Sequence, residues 1–178
     1  MTLTLGSLTF GWDDSLMAPP VALGLQAVPS LAGASHTVAI DPELADTATL
    51  MAEFDLPPEA SANCVIILGK RGGELRPAAC VVLANTRADV NGLVRRTIDV
   101  RKCSFAPQDW AVEETGMEYG GITPVGLPPG WPILIDRAVT EQPWVIIGSG
   151  LRRSKLAVPG AALADLPNAQ VLDDLGLA

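Results

Sequence analysis

The run GMEYGGITPVGLPPGWP, Gly116 to Pro132, places five glycines and four prolines within seventeen positions. Neither a helix interior nor a regular central strand tolerates that density. Proline fixes φ and glycine permits φ > 0, so the run specifies one bent backbone path. Gly120-Gly121 leaves two consecutive amides unshielded by side chains. Pro124 stiffens the exit and biases Thr123 toward extended geometry. Such a loop is suited to present backbone N–H groups to a ligand oxygen. A stiff surface connection would have the same composition.

On either side of the loop the chain mixes short strands and helices without regular alternation. Upstream, Cys64–Leu68 and Ala78–Ala84 read as apolar strands joined through Lys70-Arg71-Gly72-Gly73, a hairpin buried on both faces near its centre. His36–Ile40 reads as a further strand. Asp41-Pro42 opens a helix continued by Leu44, Thr47, Ala48 and Met51 and stopped by Pro57-Pro58. Asp89 caps a short helix from Val90 to Arg96, and Ile98–Cys103 is expected to be a strand. Pro107-Gln108 opens a helix with Gly116 as its left-handed cap. Downstream, Ile133–Asp136, Val145–Ile147 and Lys155–Val158 are strands, with Gly148-Ser149-Gly150 as a turn and Ala161–Leu166 as a short helix. These elements predict one α+β domain on a mixed sheet.

Residues 1–34 are rich in Leu, Ala, Gly and Pro. The alternation of Leu3, Leu5, Leu8, Phe10 and Trp12 suggests a small hairpin, and Val21 to Val28 a short helix ended by Pro29. We expect 1–34 to be an extension packed on a core domain of residues 35–178.

The chain has 178 residues, 48% of them hydrophobic, enough to bury a real core. No apolar run approaches a membrane span, and the first residues lack the features of a signal peptide. The three cysteines, Cys64, Cys80 and Cys103, have no CxxC spacing and read as reduced, which suggests a cytoplasmic protein. A single histidine, His36, gives no basis for a metal site or a Ser-His-Asp triad. Residues 1–69 hold eight acids and no base, within a net charge of −8. The bases cluster later, at Arg95, Arg96, Arg101 and Lys102, and again at Arg152, Arg153 and Lys155. This distribution excludes a broad nucleic-acid footprint such as a DNA-binding surface. It leaves room for a local anionic contact.

From Ala62 onward the sequence resembles the YbaK family of aminoacyl-tRNA editing domains, which includes free-standing proteins and the insertion domain of bacterial prolyl-tRNA synthetases. The resemblance is carried by Gly116 and by Gly120-Gly121-Ile122-Thr123-Pro124-Val125-Gly126, which matches a GxxxP loop in a GGxxPxG context. It is extended by Ile133–Asp136, by Arg101-Lys102, and by Gly148-Ser149-Gly150 followed by Arg152 and Arg153. The fold it implies is a mostly antiparallel, partly closed sheet flanked by helices. The activity it implies is hydrolysis of the ester of a mischarged small amino acid on tRNA, with no cofactor, metal or membrane. The partners it implies are the aminoacyl-tRNA 3′ end and, alternatively or in addition, an aminoacyl-tRNA synthetase.

On this resemblance Gly120 and Gly121 would supply amides for the developing oxyanion, and Asn63 or Ser149 would hold a water. Tyr119, Ile122, Thr123, Pro124, Lys102, Asp136, Gly148 and Gly150 would contact the substrate. Tyr119 is placed to stack on the terminal adenine, and Asp136 to act as a base. No protein nucleophile is required, because the ester is already labile. One departure stands out. The family has a lysine at the start of the first hairpin strand, and Asn63 occupies that place here. Its absence gives weight to a second reading, a non-catalytic module binding the same 3′ end or a synthetase. A small-molecule esterase on the same fold is a third.

Overall fold

The computed structural model describes residues 1–178. It begins with a hairpin, β1 (Leu3–Leu5) and β2 (Leu8–Phe10), then helices α1 (Pro19–Gln26) and α2 (Pro29–Ala32) and strand β3 (His36–Ala39). Helix α3 (Thr47–Phe54) leads to the long hairpin β4 (Ala62–Arg71) and β5 (Glu74–Leu83). Then come β6 (Arg87–Ala88), α4 (Arg95–Thr97), β7 (Cys103–Phe105) and α5 (Gln108–Thr115). After the proline-glycine loop the chain forms β8 (Ile133–Asp136), α6 (Arg137–Thr140), β9 (Val145–Gly148), β10 (Ser154–Val158), β11 (Ala169–Leu172) and β12 (Gly176–Leu177).

A five-stranded sheet runs β11-β8-β5-β4-β7, and a three-stranded sheet runs β3-β10-β9. Only the pairs β8–β5 and β8–β11 are parallel in these two sheets. The expected domain of mixed, mostly antiparallel strands is therefore present, but the sheets are open. What links the large sheet to the small one is a single parallel bridge between Ser61 and Ile146. The β4–β5 turn is Gly72-Gly73, both at positive φ, as a two-residue hairpin turn with the right twist requires.

The main core lies between the two sheets. Val81, Ile133 and Ile135 from the large sheet meet Ile147, Leu156 and Val158 from the small one. Val21 and Leu25 of α1 and Leu31 of α2 close this core, together with Met117 and Val125 from the proline-glycine loop. On the other face of the large sheet, Ile67, Cys80, Val82 and Leu134 are covered by Val94, Ile98 and Leu175. That two-sided burial explains the continuous apolar runs of β5 and β8.

Residues 1–34 thus contribute core side chains and also brace the loop. The backbone of Gly126 packs so closely on Pro20 and Val21 that a Cβ there would collide with them, and its φ is +83°. We expect Gly126→Ala to lower stability by about 2–4 kcal/mol, the joint cost of left-handed strain and overpacking. A denaturant midpoint unchanged from wild type would contradict that bracing.

Three local expectations are corrected. The helix predicted from Asp41-Pro42 is interrupted: Asp41 caps a single tight turn, Pro42–Leu44, and Asp46 caps α3 by accepting from the Thr49 N–H at 3.1 Å. Two competing acidic caps five residues apart split the element. Ile98–Cys103 is mostly a turn, with Asp99 at φ +58°, and the strand starts only at Cys103. Pro29 ends no helix but opens α2 at its first position, where its missing N–H costs nothing.

Candidate functional site

A cavity of about 530 Å³ opens where β4 begins, β9 ends, α3 starts and the proline-glycine loop turns back. Its apolar lining combines small side chains, among them Ala45, Ala62 and Cys64, with larger ones such as Ile66, Phe105 and Tyr119. Its polar wall carries Asn63, Asp46, Thr47, Lys155 and Arg152. The split between the Pro42–Leu44 turn and α3 is what places Ala45 and Asp46 at this edge.

Asn63 is fixed from one side. The Thr47 hydroxyl donates to its Oδ1 at 2.6 Å, so its amino group is the part left for a ligand. Arg152 ties the two rims together: its guanidinium donates to the Tyr119 carbonyl at 3.1 Å and to the Pro42 carbonyl at 3.0 Å. Its backbone N–H donates to the Glu118 carboxylate at 2.8 Å. The guanidinium lies against Gly120, where a Cβ would approach it to 2.6 Å.

Lys155 is the charged group that the sequence did not single out. It sits in β10, the central strand of the smaller sheet, only 6% exposed, and lines the cavity. Its Nζ donates to the Ala45 carbonyl at 2.9 Å. Burial pushes its pKa down to about 8, opposed by Asp46 and reinforced by Arg152. Between that value and its ordinary 10.5, the unfolded chain holds a proton that the folded one has shed. Stability tied to Lys155 therefore rises with pH through that window, by up to about 3 kcal/mol. We expect the gap between wild type and Lys155→Met in urea midpoint to narrow accordingly as pH rises toward 10. A constant gap would contradict the burial cost.

The twelve residues anticipated from sequence divide clearly. Asn63, Tyr119, Gly120, Ile122 and Gly148 line the cavity together. The Gly120 and Ile122 N–H groups donate to nothing within the protein. Gly148 has no room for a side chain, since a Cβ would press on the Ile122 carbonyl at 2.7 Å.

The other seven lie elsewhere, and each placement corrects an expectation. The Gly121 N–H is already donated to the Glu118 carbonyl at 2.9 Å, and a Cβ there would meet the Leu151 backbone, so the residue shapes the turn. Ser149 is fully buried, with its hydroxyl bonded to the Ser154 hydroxyl at 2.8 Å and accepting from the Leu151 N–H. Gly150, at φ +82°, donates its N–H to the Gly121 carbonyl at 2.7 Å and packs on Ala18. Thr123 and Pro124 are buried behind the cavity wall. Asp136 is buried against the amides of Leu175 and Gly176; burial raises its pKa and those amides oppose the shift. Lys102 is exposed in the turn before β7 and does not reach the cavity.

Cys64 is the one thiol in the wall, and burial pushes its pKa far above the ordinary range. It is a neutral thiol at physiological pH and a poor nucleophile. His36 lies outside the cavity, packed edge-on against Trp144 at 5.3 Å. The cavity can therefore offer hydrogen-bond donors and positive charge from Lys155 and Arg152 to a carbonyl or hydroxyl, beside the carboxylates of Glu43 and Asp46. No helix is long and apolar enough to cross a membrane.

Comparison with known proteins bears on this arrangement. A family model described as the aminoacyl-tRNA editing domain matches residues 41–166. Among solved structures, one described as a candidate trans-editing enzyme for prolyl tRNA synthetase aligns with TM-score 0.74 at 20% identity, over 90% of this chain and 97% of that one. The hypothetical protein APE2540 aligns with TM-score 0.70 at 22% identity, over 80% and 91%. A scaffold protein used for computational epitope grafting aligns with TM-score 0.75 at 20% identity, over 90% and 97%. These structures share the fold.

Proposed function

This chain belongs to the aminoacyl-tRNA editing domain family, and from that premise we propose that its cavity hydrolyses the ester of a mischarged small amino acid on tRNA, acting in trans in the cytoplasm. The observation that supports this most is that Gly120, whose N–H has no acceptor in the protein, and Lys155, a buried ammonium, line one cavity. Hydrolysis needs a place for the carbonyl oxygen's developing charge and little else, because the ribose leaving group is already activated by its neighbouring hydroxyl.

In this reading the Gly120 N–H donates to the ester carbonyl. The Lys155 ammonium and the Asn63 amino group donate to the same oxygen as charge develops on it. Water attacks the carbonyl carbon, and the carbonyl electron pair moves onto an oxygen held by those donors. The intermediate collapses, the C–O bond to ribose breaks, and the proton from water ends on the ribose oxygen by way of the vicinal hydroxyl. The products are the free amino acid and the terminal diol. A single donor to such an oxyanion is worth roughly 10²–10³ in rate. No covalent enzyme intermediate enters, in keeping with the neutral Cys64 thiol.

Ala45, Ala62 and Gly148 contribute methyl groups or less to the cavity lining, which would narrow the space for the amino-acid side chain. Larger amino-acid side chains are then excluded by steric conflict, whereas small ones are separated from each other by only about 1–3 kcal/mol per methylene. The Lys155 ammonium also answers the departure at Asn63. The motive for a binding-only module was a missing charge, and the cavity has one from another strand.

The test is amino-acid release from a matrix of mischarged tRNAs. Release is expected for alanine, serine or cysteine esters and not for bulky ones. No release across the matrix would overturn the proposal. Equal turnover of free amino-acid esters with no gain from tRNA would replace it with a small-molecule esterase.

A further inference from the structure

The largest concentration of bases in the chain lies outside the cavity. Residues 70–102 carry eight of the twelve bases and three of the twenty acids, on a chain of net charge −8. The fold folds this segment on itself, so that the tip of the β4–β5 hairpin faces the turn at 98–101. Asp99 engages two of the bases, pairing with Arg71 and Arg76, and Arg76 also donates to the Ile98 carbonyl at 3.1 Å. These contacts build the floor of a groove of about 400 Å³. Lys70 and Arg101 line it with no ion-pair partner, and Arg96 and Lys102 are exposed nearby in sequence.

The groove and the cavity are joined by two neighbouring strands. Ile66 of β4 lines the cavity and Lys70 of the same strand lines the groove, four residues on. At the rise of an extended chain that is about 13 Å. On the edge strand β7, Phe105 lines the cavity, and Arg101, four residues earlier, lines the groove. Phe105 is 64% exposed, an unusual place for a large apolar ring. Stacked nucleotides advance about 3.4 Å each, so the separation fits about four of them. An exposed aromatic between a cavity and a basic groove is how single-stranded nucleic acid is commonly guided, by stacking and phosphate contact.

We propose that the groove at Lys70 and Arg101 docks the first paired phosphates of the tRNA acceptor stem, with Phe105 as a stacking platform for a base of the unpaired 3′ end. This rests on the reading of the cavity as the site of the aminoacyl ester. The terminal adenosine enters the cavity, the single strand runs along the β4–β7 edge, and the duplex begins at the positive groove. The acidic first 69 residues offer the rest of the tRNA no attraction, so contact is confined to its end.

The probe is an uncharged RNA hairpin with an unpaired 3′ end, titrated against wild type and Lys70→Glu/Arg101→Glu at several salt concentrations. The double variant is expected to bind at least about tenfold more weakly, with the slope of log K on log salt reduced by about 1.5, since each lost phosphate contact removes about 0.7–0.9. Phe105→Ala is expected to abolish the preference for the overhanging hairpin over a blunt one. Equal affinity and equal slope for wild type and the double variant would overturn the docking site. Hydrolysis of an aminoacyl-adenosine lacking the stem keeps the two claims apart. If wild type cleaves it and hairpin binding is unaltered by the charge reversals, the groove fails and the cavity stands. If wild type cleaves neither it nor aminoacyl-tRNA, the cavity reading fails, and the hairpin titration still decides the groove.

Discussion

Lys155→Met is expected to lower kcat/KM for aminoacyl-tRNA hydrolysis by roughly 10²–10³, the usual effect of removing one donor to a developing oxyanion. Methionine keeps the unbranched stem and deletes the charge, so the cavity wall is preserved. The same substitution relieves a burial cost, so the variant is expected to be more stable than wild type at neutral pH. Lost activity with gained stability separates a role in the reaction from simple unfolding. Wild-type kcat/KM is also expected to fall as pH rises through about 8, where Lys155 sheds its proton. Burial sets that value; of the charges around it, Asp46 favours the charged form and Arg152 opposes it. Lys155→Met would show no such descending limb. A variant with wild-type rate and the same pH profile would remove Lys155 from the mechanism.

The second large effect is expected from Gly120→Val. Gly120 holds φ at +87°, which a β-branched residue adopts only with strain of about 1–3 kcal/mol. Its new side chain would also displace the Arg152 guanidinium that bridges the cavity's two rims. Either response moves the Gly120 amide that donates to the carbonyl. A misplacement of about an ångström can cost on the order of 10² in rate, so kcat/KM is expected to fall about 10²-fold with the protein still folded. Retained activity would mean that the carbonyl is held elsewhere.

The sequence exposed the fold through features that are local and one-dimensional. The β4–β5 hairpin announced itself by two apolar runs around Gly72-Gly73, and Gly116 by its place after a helix. The loop's path was legible because proline and glycine restrict it directly. What it could not reveal was which amides that path leaves free. Gly120 and Gly121 are equivalent in sequence, yet one N–H closes a turn on Glu118 and the other is uncommitted. Ser149 was a candidate because Gly148-Ser149-Gly150 resembles the family's small-residue turn; its partner Ser154 comes from the following strand, and the two hydroxyls bond each other.

Lys155 was hidden for a related reason. Grouped with Arg152 and Arg153, it read only as one member of a basic cluster open to a local anionic contact. A signal was present: Lys155 is followed directly by Leu156, Ala157 and Val158, and such a strand is buried on both faces when it is central. A lysine at its start then has to find a cavity or a carbonyl, and it finds both. Asn63 was correctly located at the start of β4, but the charge missing there arrives across the gap between the two sheets.

The placement of the ester carbonyl at Gly120 can be measured directly by NMR, titrating the protein with a non-hydrolysable aminoacyl-adenosine amide analogue and following backbone amide shifts. The Gly120 N–H should move downfield on saturation as it acquires an acceptor, while the Gly121 N–H, bound to Glu118 throughout, should stay nearly still. Saturable binding with Gly120 unmoved, or shifts confined to a surface away from β4 and β9, would contradict the account.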